Sequence, residues 1–279
     1  MNPQRHPFQP PSPPPGPQGY GHGAPQWGHA PQQGWGQSPQ QGWGHAPDAW
    51  NANALAPHMA SSYESQNAFV TKVFGWMTMG LGLTAIIAWF TASTGLVATI
   101  APLMLPLILV QFGLVLGLSF ALHKLSGPVA IGGFLLYAAL NGLLLSAIFM
   151  IYTLGSIAQV LLMTTLTFGF MFVYGWTTKR DLTSMGSLLI MALFGIIVGG
   201  LLNVLLFKSG MMDLILNAVG ILIFVGLTAY DAQKIKEMGA VGFPTLADEQ
   251  RMSVIGALTL YLDFINLFLK LLRFFGDRR

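Results

Sequence analysis

The chain has 279 residues, of which 53% are apolar and 8% are charged, whereas soluble domains carry about 25% charged residues. Long apolar runs separated by short polar links therefore indicate a multi-pass membrane protein. The net charge of +3 is small and the basic residues are scattered, which argues against nucleic-acid binding. Because the chain has no cysteine, disulfides and thiolate metal sites are excluded.

The first 64 residues are predicted to form a disordered tail. They contain a proline-rich stretch at residues 10–15 and two Gln-Gly-Trp-Gly repeats at residues 31–38 and 39–46. The tail has too few aliphatic side chains to offset the chain entropy lost on folding. The repeat is similar to the octarepeat of prion proteins, which binds copper through a histidine, but glutamine stands at that position here. We therefore favour a flexible tail whose tryptophans contact lipid headgroups or a partner.

Residues 65–279 are predicted to form an all-α membrane domain of seven transmembrane helices. Apolar runs of sufficient length place the first five at about residues 73–92, 96–122, 128–152, 157–178 and 188–207. Pro102 and Pro106 predict a kink in the first half of the second helix, because proline removes a backbone hydrogen bond.

Two of these helices carry polar or small residues that favour contact with neighbouring helices. Asn141 and Ser146 in the third helix are expected to hydrogen-bond across helices. Gly195, Gly199 and Gly200 in the fifth helix have the spacing of a surface on which another helix packs closely.

Two aspartates lie in the last two apolar runs. The sixth helix begins near Leu214, continues past Asp231 and is predicted to end at Gly239. The seventh helix begins with a capping box at residues 245–248 and carries Asp263 in its interior. An ionised carboxylate inside a bilayer costs several kcal/mol, so both aspartates are candidates for a functional site.

The seventh helix also carries a polar stripe. Asp263, Asn266, Lys270 and Arg273 recur at three- and four-residue spacing on an otherwise apolar helix. Such a stripe must face the interior of the bundle or water. We therefore expect the seventh helix to be central, with the other helices around it.

The two carboxylates are expected to lie at similar depth, because a rise of about 1.5 Å per residue brings Asp263 roughly halfway across the membrane. If they meet, they share a proton and titrate as a coupled pair. Protonated, the pair forms a hydrogen-bonded latch; deprotonated, it repels itself and accepts a hard cation such as calcium through its oxygens. Two structural alternatives stay open: Asp231 pairs with Lys234 at the membrane edge, or Asp263 pairs with Lys270.

The distribution of lysine and arginine predicts a cytoplasmic N-terminus, because the loops on that side carry most of these residues. Seven crossings then place Arg273, Arg278 and Arg279 on the outer side, against this rule. A seventh helix that re-enters and returns avoids the conflict. We favour seven crossings, because the apolar run at residues 254–269 is long enough to span most of the bilayer.

Three stretches resemble the Bax inhibitor-1 family, specifically its bacterial YccA-like branch. They are YGWTTKRDLTSMG at 174–186, GLTAYDAQKIK at 226–236 and ALTLYLDFINLFLKLLRFFG at 257–276. The resemblance implies a seven-helix fold with a central seventh helix, in the inner membrane of a bacterium. It also implies a calcium leak that pH regulates through two aspartates, which Asp231 and Asp263 match. Some bacterial members regulate a membrane-bound AAA protease, and eukaryotic members restrain cell death.

The chain departs from this family in its long N-terminal tail and near the end of the second helix. Calcium-leak members can carry an arginine near the end of the second helix that latches the aspartates, whereas this chain offers His123 and Lys124 there. Lysine does not reproduce the bidentate pairing of arginine, and a histidine shifts the pH response. We therefore expect a weaker latch.

Three functions follow from these residues and from the resemblance. The first is a pH-sensitive cation leak, with Asp231 and Asp263 as proton sensors and calcium ligands. The second is an interaction protein that modulates a membrane protease or a stress response. The third, an intramembrane aspartyl protease, is disfavoured because Leu-Tyr-Leu precedes Asp263 where such enzymes have Gly-x-Gly. No phosphate loop, zinc-protease motif or dinucleotide fingerprint occurs, so we expect neither an enzyme nor a bound cofactor.

Overall fold

We describe the protein from a computed structural model. It describes the backbone of residues 52–121 and 125–279, and the side chains of residues 64–119 and 125–279. Most of the predicted tail lies outside these residues, as do His123 and Lys124, the two candidates for a latch. The first described helix begins at Ala52, before the predicted start of the membrane domain at residue 65.

The prediction of seven transmembrane helices is confirmed for the described part of the chain. Seven helices are long and apolar enough to cross a membrane. Their membrane-crossing segments are α1 Glu64–Ser93, α2 Leu96–Ser119, α3 Gly127–Ile151, α4 Leu154–Thr177, α5 Thr183–Phe207, α6 Gly210–Val241 and α7 Leu246–Phe275. The chain is therefore a multi-pass membrane protein.

Helix α7 lies at the centre of the bundle, as predicted. In its apolar stretch 67% of the residues are buried, against at most 39% in any of the other six helices. It packs against α1, α3, α4 and α6, while α2 packs on α3 and α5 packs on α6 at the periphery. Polar groups that must avoid lipid therefore belong on α7 and on the inner faces of its neighbours.

Helix α2 is irregular where the sequence contains proline. It consists of three segments, Leu96–Ile100, a 3₁₀ turn at Ala101–Leu103, and Met104–Ala121. Pro102 lies in the 3₁₀ turn, where its missing N–H and fixed backbone angle interrupt the α-helical hydrogen bonds. An interruption of the regular helix is therefore present at Pro102, whereas Pro106 lies inside the α-helical segment that follows.

The link between α6 and α7 differs in part from the prediction. Helix α6 ends at Val241, and Gly242 takes the left-handed backbone angle, with φ 74°, so the predicted end at Gly239 is wrong. Gly239 instead lets α1 approach, because a Cβ there would lie 3.2 Å from the ring of Phe69. The cap of α7 is confirmed, since the side chain of Thr245 accepts a hydrogen bond from a backbone N–H of the first turn.

The glycines of α5 do not form the close-packing surface that their spacing predicts. No atom lies within 4 Å of the Cβ positions of Gly195 and Gly200, and Gly199 meets the flexible side chain of Leu216. The prediction is wrong because α5 lies at the edge of the bundle, where one helix face contacts α6 and the rest faces outward.

The C-terminal residues bind the link between α3 and α4. The N–H of Thr153 donates to the carbonyl of Asp277 (3.2 Å), and the N–H of Arg279 donates to the carbonyl of Ile151 (2.9 Å). The N–H of Asp277 donates to Ser156 Oγ (2.9 Å). This link lies three crossings from the start of α1, so α7 ends on the side opposite to that start. The described residues thus support a single crossing by α7 over a re-entrant helix.

A cytoplasmic N-terminus stays a prediction, and labelling can test it. Because the chain has no native cysteine, Ser38→Cys and Arg278→Cys each introduce one thiol. We expect a membrane-impermeant maleimide applied to intact cells to label Arg278→Cys and to leave Ser38→Cys unlabelled until the membrane is permeabilised. The reverse pattern would contradict the orientation drawn from the positive charges.

Candidate functional site

Asp231 of α6 and Asp263 of α7 face each other inside the bundle. The two residues are 8% and 5% exposed, both line the same cavity, and their carboxyl groups lie close enough to interact directly. The structure therefore brings together the two aspartates that the sequence places on neighbouring helices.

Close packing on both sides of α6 positions Asp231. A Cβ at Gly175 of α4 would lie against the backbone carbonyl of Ala229, two residues before Asp231. A Cβ at Gly186 of α5 would likewise lie against the ring of Tyr230. Because glycine has no side chain, α4 and α5 can both approach α6 at this height, and α6 is held next to the carboxyl pair.

Hydrogen bonds join the stretch at residues 174–186 to the C-terminal turns of α6. The side chain of Gln233 accepts from the N–H of Leu182 and donates to the carbonyl of Arg180, both at 2.8 Å. The ammonium of Lys236 donates to the carbonyl of Trp176 at 2.7 Å. The stretch at residues 174–186 therefore anchors the helical turns of α6 that follow Asp231. These contacts are the physical link between two of the three sequence motifs.

Asp181 in the same stretch lies outside the membrane-crossing helices. The backbone N–H of Thr183 donates to its carboxylate at 2.8 Å, and hydrogen bonds from Thr183 lower the pKa of Asp181 below its ordinary value. Its stabilising effect is therefore complete above the ordinary range for aspartate and is lost only as the pH falls through the lowered pKa. Asp181 keeps its charge at neutral pH.

A cavity of about 680 Å³ opens beside the carboxyl pair. Side chains of α2 and α5 form its walls, and α6 and α7 contribute most of its polar groups. Four further titratable side chains line it: Tyr137, Tyr230, Lys234 and Lys270. The carboxyl pair thus borders a space large enough for several water molecules, with a lysine from α6 and a lysine from α7 on its wall.

The two lysines do not form the ion pairs considered as structural alternatives. The ammonium of Lys234 lies 5.9 Å from the centre of the Tyr230 ring, and Lys270 lies along Gly220 of α6. Among the described residues no ion pair joins Lys234 to Asp231 or Lys270 to Asp263. Neither aspartate is therefore explained as half of a structural salt bridge.

The polar stripe of α7 runs from the carboxyl pair to the C-terminal end of the helix. Asn266 lines the cavity and donates to the carbonyl of Leu262 in its own helix at 2.8 Å. Arg273 at the end of the stripe forms an ion pair with Asp213 of α6 at 2.6 Å. The predicted supporting residues Asn266 and Lys270 therefore both border the cavity, whereas Arg273 closes the stripe at the surface.

The carboxyl pair does not form a complete calcium site by itself. Calcium takes six to eight oxygen ligands, and no group of three or more acidic or histidine side chains suited to a metal occurs in the described residues. Within the same residues, Asp263 Oδ2 is buried and has no hydrogen-bond partner. Two carboxylates, one with an unused oxygen, suit a cation that passes with part of its water shell.

A second polar group on α7 was missed in the sequence. Tyr261 is fully buried, and its hydroxyl lies 2.7 Å from Thr84 Oγ1 of α1 and 2.8 Å from Asn141 Nδ2 of α3. Residues two apart on a helix point in nearly opposite directions, so Tyr261 faces α1 and α3 while Asp263 faces α6. The cross-helix bond expected of Asn141 is present, whereas Ser146 bonds to Leu143 of its own helix.

Tyr261→Phe is expected to lower the free energy of unfolding by about 1–3 kcal/mol, because it leaves Asn141 with an unpaired donor inside the bundle. Thermal unfolding in detergent measures this loss. The matched control is Tyr174→Phe, since Tyr174 is 46% exposed on α4 and its hydroxyl is not enclosed. Equal unfolding temperatures for the two variants would show that the buried network does not stabilise the bundle.

In the described part of the chain four helices surround α7, two more pack outside them, and a carboxyl pair is enclosed between α6 and α7. This arrangement defines a polytopic membrane protein with an acidic centre. Residues 66–279 match the family model described as inhibitor of apoptosis-promoting Bax1. The chain therefore belongs to the Bax inhibitor-1 family, as its motifs predict.

Several bacterial proteins are similar in sequence to this chain over most of its length. The inner membrane protein YbhL of Escherichia coli K12 is 47% identical over 216 residues, which cover 76% of this chain and 92% of YbhL. An uncharacterized protein of Borreliella burgdorferi is 47% identical over 218 residues, covering 77% of this chain and 94% of that protein. One from Deinococcus radiodurans is 38% identical over 227 residues, covering 80% and 96% respectively. The similarity thus spans the membrane domain.

Proposed function

We propose that this protein is a passive cation leak that conducts calcium and is gated by the protonation of Asp231 and Asp263. The observation that carries the proposal is the contact between the two buried carboxyl groups at the edge of a cavity within the membrane. Ionisable residues inside a membrane bundle commonly mark ion or proton pathways. In this proposal the protein catalyses no reaction and needs no cofactor, and calcium is its cargo.

The gate follows from the chemistry of the pair. With one proton between them, the carboxyl groups hold α6 and α7 together through a hydrogen bond. When that proton leaves, the two negative charges repel each other, and a hard cation can bind between them through its oxygen ligands. We therefore expect flux to be low at acidic pH and to rise as the pH increases.

The surrounding charges favour a slow leak over a fast channel. Lys234 and Lys270 line the same cavity as the aspartates, and a fixed ammonium raises the energy of a passing cation. Calcium must therefore cross unfavourable positions to reach the favourable one. A pathway of this kind conducts, but at a rate limited by the two lysines.

Flux through the purified protein tests the proposal. The full chain is reconstituted into liposomes loaded with a calcium indicator, beside protein-free liposomes from the same preparation. We expect calcium entry above the protein-free level that increases from acidic to alkaline pH. Calcium entry no faster than in protein-free liposomes at any pH would refute the leak.

The alternative function is modulation of a membrane-bound AAA protease or of a stress response. It predicts that variants of Asp231 and Asp263 keep their activity in cells and that a co-purified partner protein accounts for the phenotype. For either function we propose the bacterial inner membrane as the location, because the relative YbhL is named an inner membrane protein, with the N-terminus in the cytoplasm.

A further inference from the structure

A groove separate from the carboxyl site opens between α1 and α4. It has a volume of about 390 Å³. Gly82, Ala85 and Ala88 of α1 form one wall, Leu161 of α4 forms the other, and Phe268 of α7 lies at the floor. We call these residues the α1–α4 groove. Small side chains on α1 keep it open, and its mouth lies on the membrane-facing side of the bundle, where Gly82 and Ala85 are exposed.

The α1–α4 groove is suited to an apolar occupant. Its Thr84 hydroxyl is bonded to the carbonyl of Ala138 (2.9 Å) and to Tyr261 (2.7 Å), and its Thr165 hydroxyl is bonded to the carbonyl of Leu161 (2.8 Å). An ordered water needs two to four polar partners, and these two hydroxyls are already engaged with the protein. Thr78, at the end of the α1 wall, adds only one further hydroxyl. Inside a bilayer the space is therefore filled by hydrocarbon.

The length of the groove matches one leaflet. Its α1 wall extends from Thr78 to Ala88, which at about 1.5 Å per residue is about 15 Å. Half of a hydrocarbon core of about 30 Å is the same depth. The groove can therefore hold an acyl chain along its whole length.

The outer end of the groove adjoins a second cavity, which is lined by a positively charged side chain. This cavity, of about 320 Å³, shares Phe149 with the groove and is lined by Trp89, Ser93 and Arg279. Trp89 stacks edge-on against Phe149 at 5.8 Å, at the height where tryptophan favours the membrane interface. An acyl chain that leaves the groove thus ends at a tryptophan and an arginine.

Arg279 is held at this cavity by its backbone. Its N–H donates to the carbonyl of Ile151 at 2.9 Å, and no carboxylate forms an ion pair with it among the described residues. The neighbouring Arg278 is engaged differently, because its guanidinium lies 6.0 Å from the centre of the Tyr152 ring. Arginine binds phosphate oxygens through two parallel hydrogen bonds, so Arg279 complements a phosphate at the end of an apolar groove.

We propose that the α1–α4 groove and Arg279 together bind one anionic phospholipid of the outer leaflet. One acyl chain lies along Gly82, Ala85 and Ala88, and the phosphate contacts Arg279. This site is independent of the carboxyl pair and of the proposed ion leak. It accounts for an arginine on the outer side of the membrane, against the usual distribution of positive charge.

Native mass spectrometry of the full chain tests the proposal. The purified protein is titrated with phosphatidylglycerol and with phosphatidylcholine of identical acyl chains. We expect phosphatidylglycerol to bind more tightly, and Arg279→Gln to weaken its binding by about tenfold while leaving phosphatidylcholine binding unchanged. Lys208→Gln is the matched control, because Lys208 is an exposed cation on the same side of the membrane that does not line either cavity.

A second variant tests the acyl-chain part of the site. No atom lies within 4 Å of a Cβ built at Gly82, so the first side-chain atom of Gly82→Leu has free space. The leucine is expected to occupy the groove and to weaken the binding of both lipids. Gly132→Leu on α3 is the control, since Gly132 is also exposed and has free space at its Cβ. Thermal unfolding of the four variants verifies that each is folded.

Fluorescence provides a measurement that does not depend on a groove variant. Phosphatidylglycerol with brominated acyl chains is expected to quench the fluorescence of Trp89. The fraction of the protein's fluorescence that is quenched should therefore be smaller in Trp89→Phe than in the wild type. The proposal is overturned if Arg279→Gln and Gly82→Leu bind both lipids as their controls do, or if Trp89→Phe leaves the quenching unchanged. If either result is found while the protein still conducts calcium, the lipid site is refuted and the proposed leak is not.

Discussion

Asp263→Asn is expected to abolish the pH dependence of calcium flux and to lower the flux at alkaline pH by about tenfold or more, because it removes one charged ligand for the cation. Asparagine has nearly the shape of aspartate and can still donate a hydrogen bond to Asp231 inside the bundle. The latch between α6 and α7 therefore persists at every pH, since no proton is needed to maintain it. Calcium flux in proteoliposomes across the pH range measures both effects.

The same substitution is expected to stabilise the protein at alkaline pH. In the wild type, loss of the shared proton leaves two like charges in an enclosed site, which is unfavourable by several kcal/mol. Thermal unfolding in detergent should therefore show a smaller fall in stability with rising pH for Asp263→Asn than for the wild type. The control is Asp181→Asn, because Asp181 is outside the membrane and keeps its charge at neutral pH. A flux profile for Asp263→Asn equal to that of Asp181→Asn would contradict the gate.

Gly175→Ala is expected to lower the free energy of unfolding by about 1–3 kcal/mol, the usual range for an overpacked interior. The new methyl group would lie against the backbone carbonyl of Ala229, and a backbone atom cannot move aside as a side chain can. The gain in helix propensity from glycine to alanine is about 1 kcal/mol and is smaller than this strain. Because Ala229 is two residues from Asp231, the displaced α6 should also shift the pH at which flux rises.

Gly169→Ala on the same helix is the matched control for this packing effect. No atom lies within 4 Å of its Cβ position, so the substitution is expected to leave stability unchanged or to raise it by up to about 1 kcal/mol. Thermal unfolding and calcium flux are measured on both variants. If Gly175→Ala unfolds at the same temperature as Gly169→Ala, the close contact between α4 and α6 does not position the carboxyl pair.

Sequence patterns predicted the number of helices and the central place of α7. The first depends on the length of the apolar runs, and the second on the spacing of polar residues along α7. The apolar runs are too long for a soluble core, and the stripe at Asp263, Asn266 and Lys270 allows no lipid-facing orientation. The contact between Asp231 and Asp263 was a conditional expectation, because depth along two helices does not determine their rotation. The rotation of α6 depends on the approach of α4 at Gly175 and of α5 at Gly186.

The wrong predictions concern glycines, because glycine occurs both where helices pack closely and where a helix ends or faces outward. Glycine spacing on α5 suggested helix contact, but Gly195 and Gly200 lie at the edge of the bundle. Gly239 was assigned to the end of α6, whereas it makes room for Phe69 and the chain turns at Gly242. In both cases the sequence does not reveal which face of the helix is packed. The same limit hid Tyr261, whose partners come from α1 and α3.

The arginines at the end of α7 also gain a physical account from the structure. Counting charges alone places Arg273, Arg278 and Arg279 on the unfavourable side. Arg273 is neutralised by Asp213 at 2.6 Å, and Arg278 lies over the ring of Tyr152. Neighbouring side chains thus compensate the charges of Arg273 and Arg278. The proposed phospholipid would compensate the charge of Arg279.

The most direct test of the carboxyl gate is infrared spectroscopy of the reconstituted protein as the pH is raised. We expect a stretching band of a protonated carboxyl group that disappears at the pH at which calcium flux rises. The band should be absent in the double variant Asp231→Asn with Asp263→Asn. A wild-type protein in which no such band titrates, or in which it titrates at a pH unrelated to the flux, would contradict proton sharing as the gate.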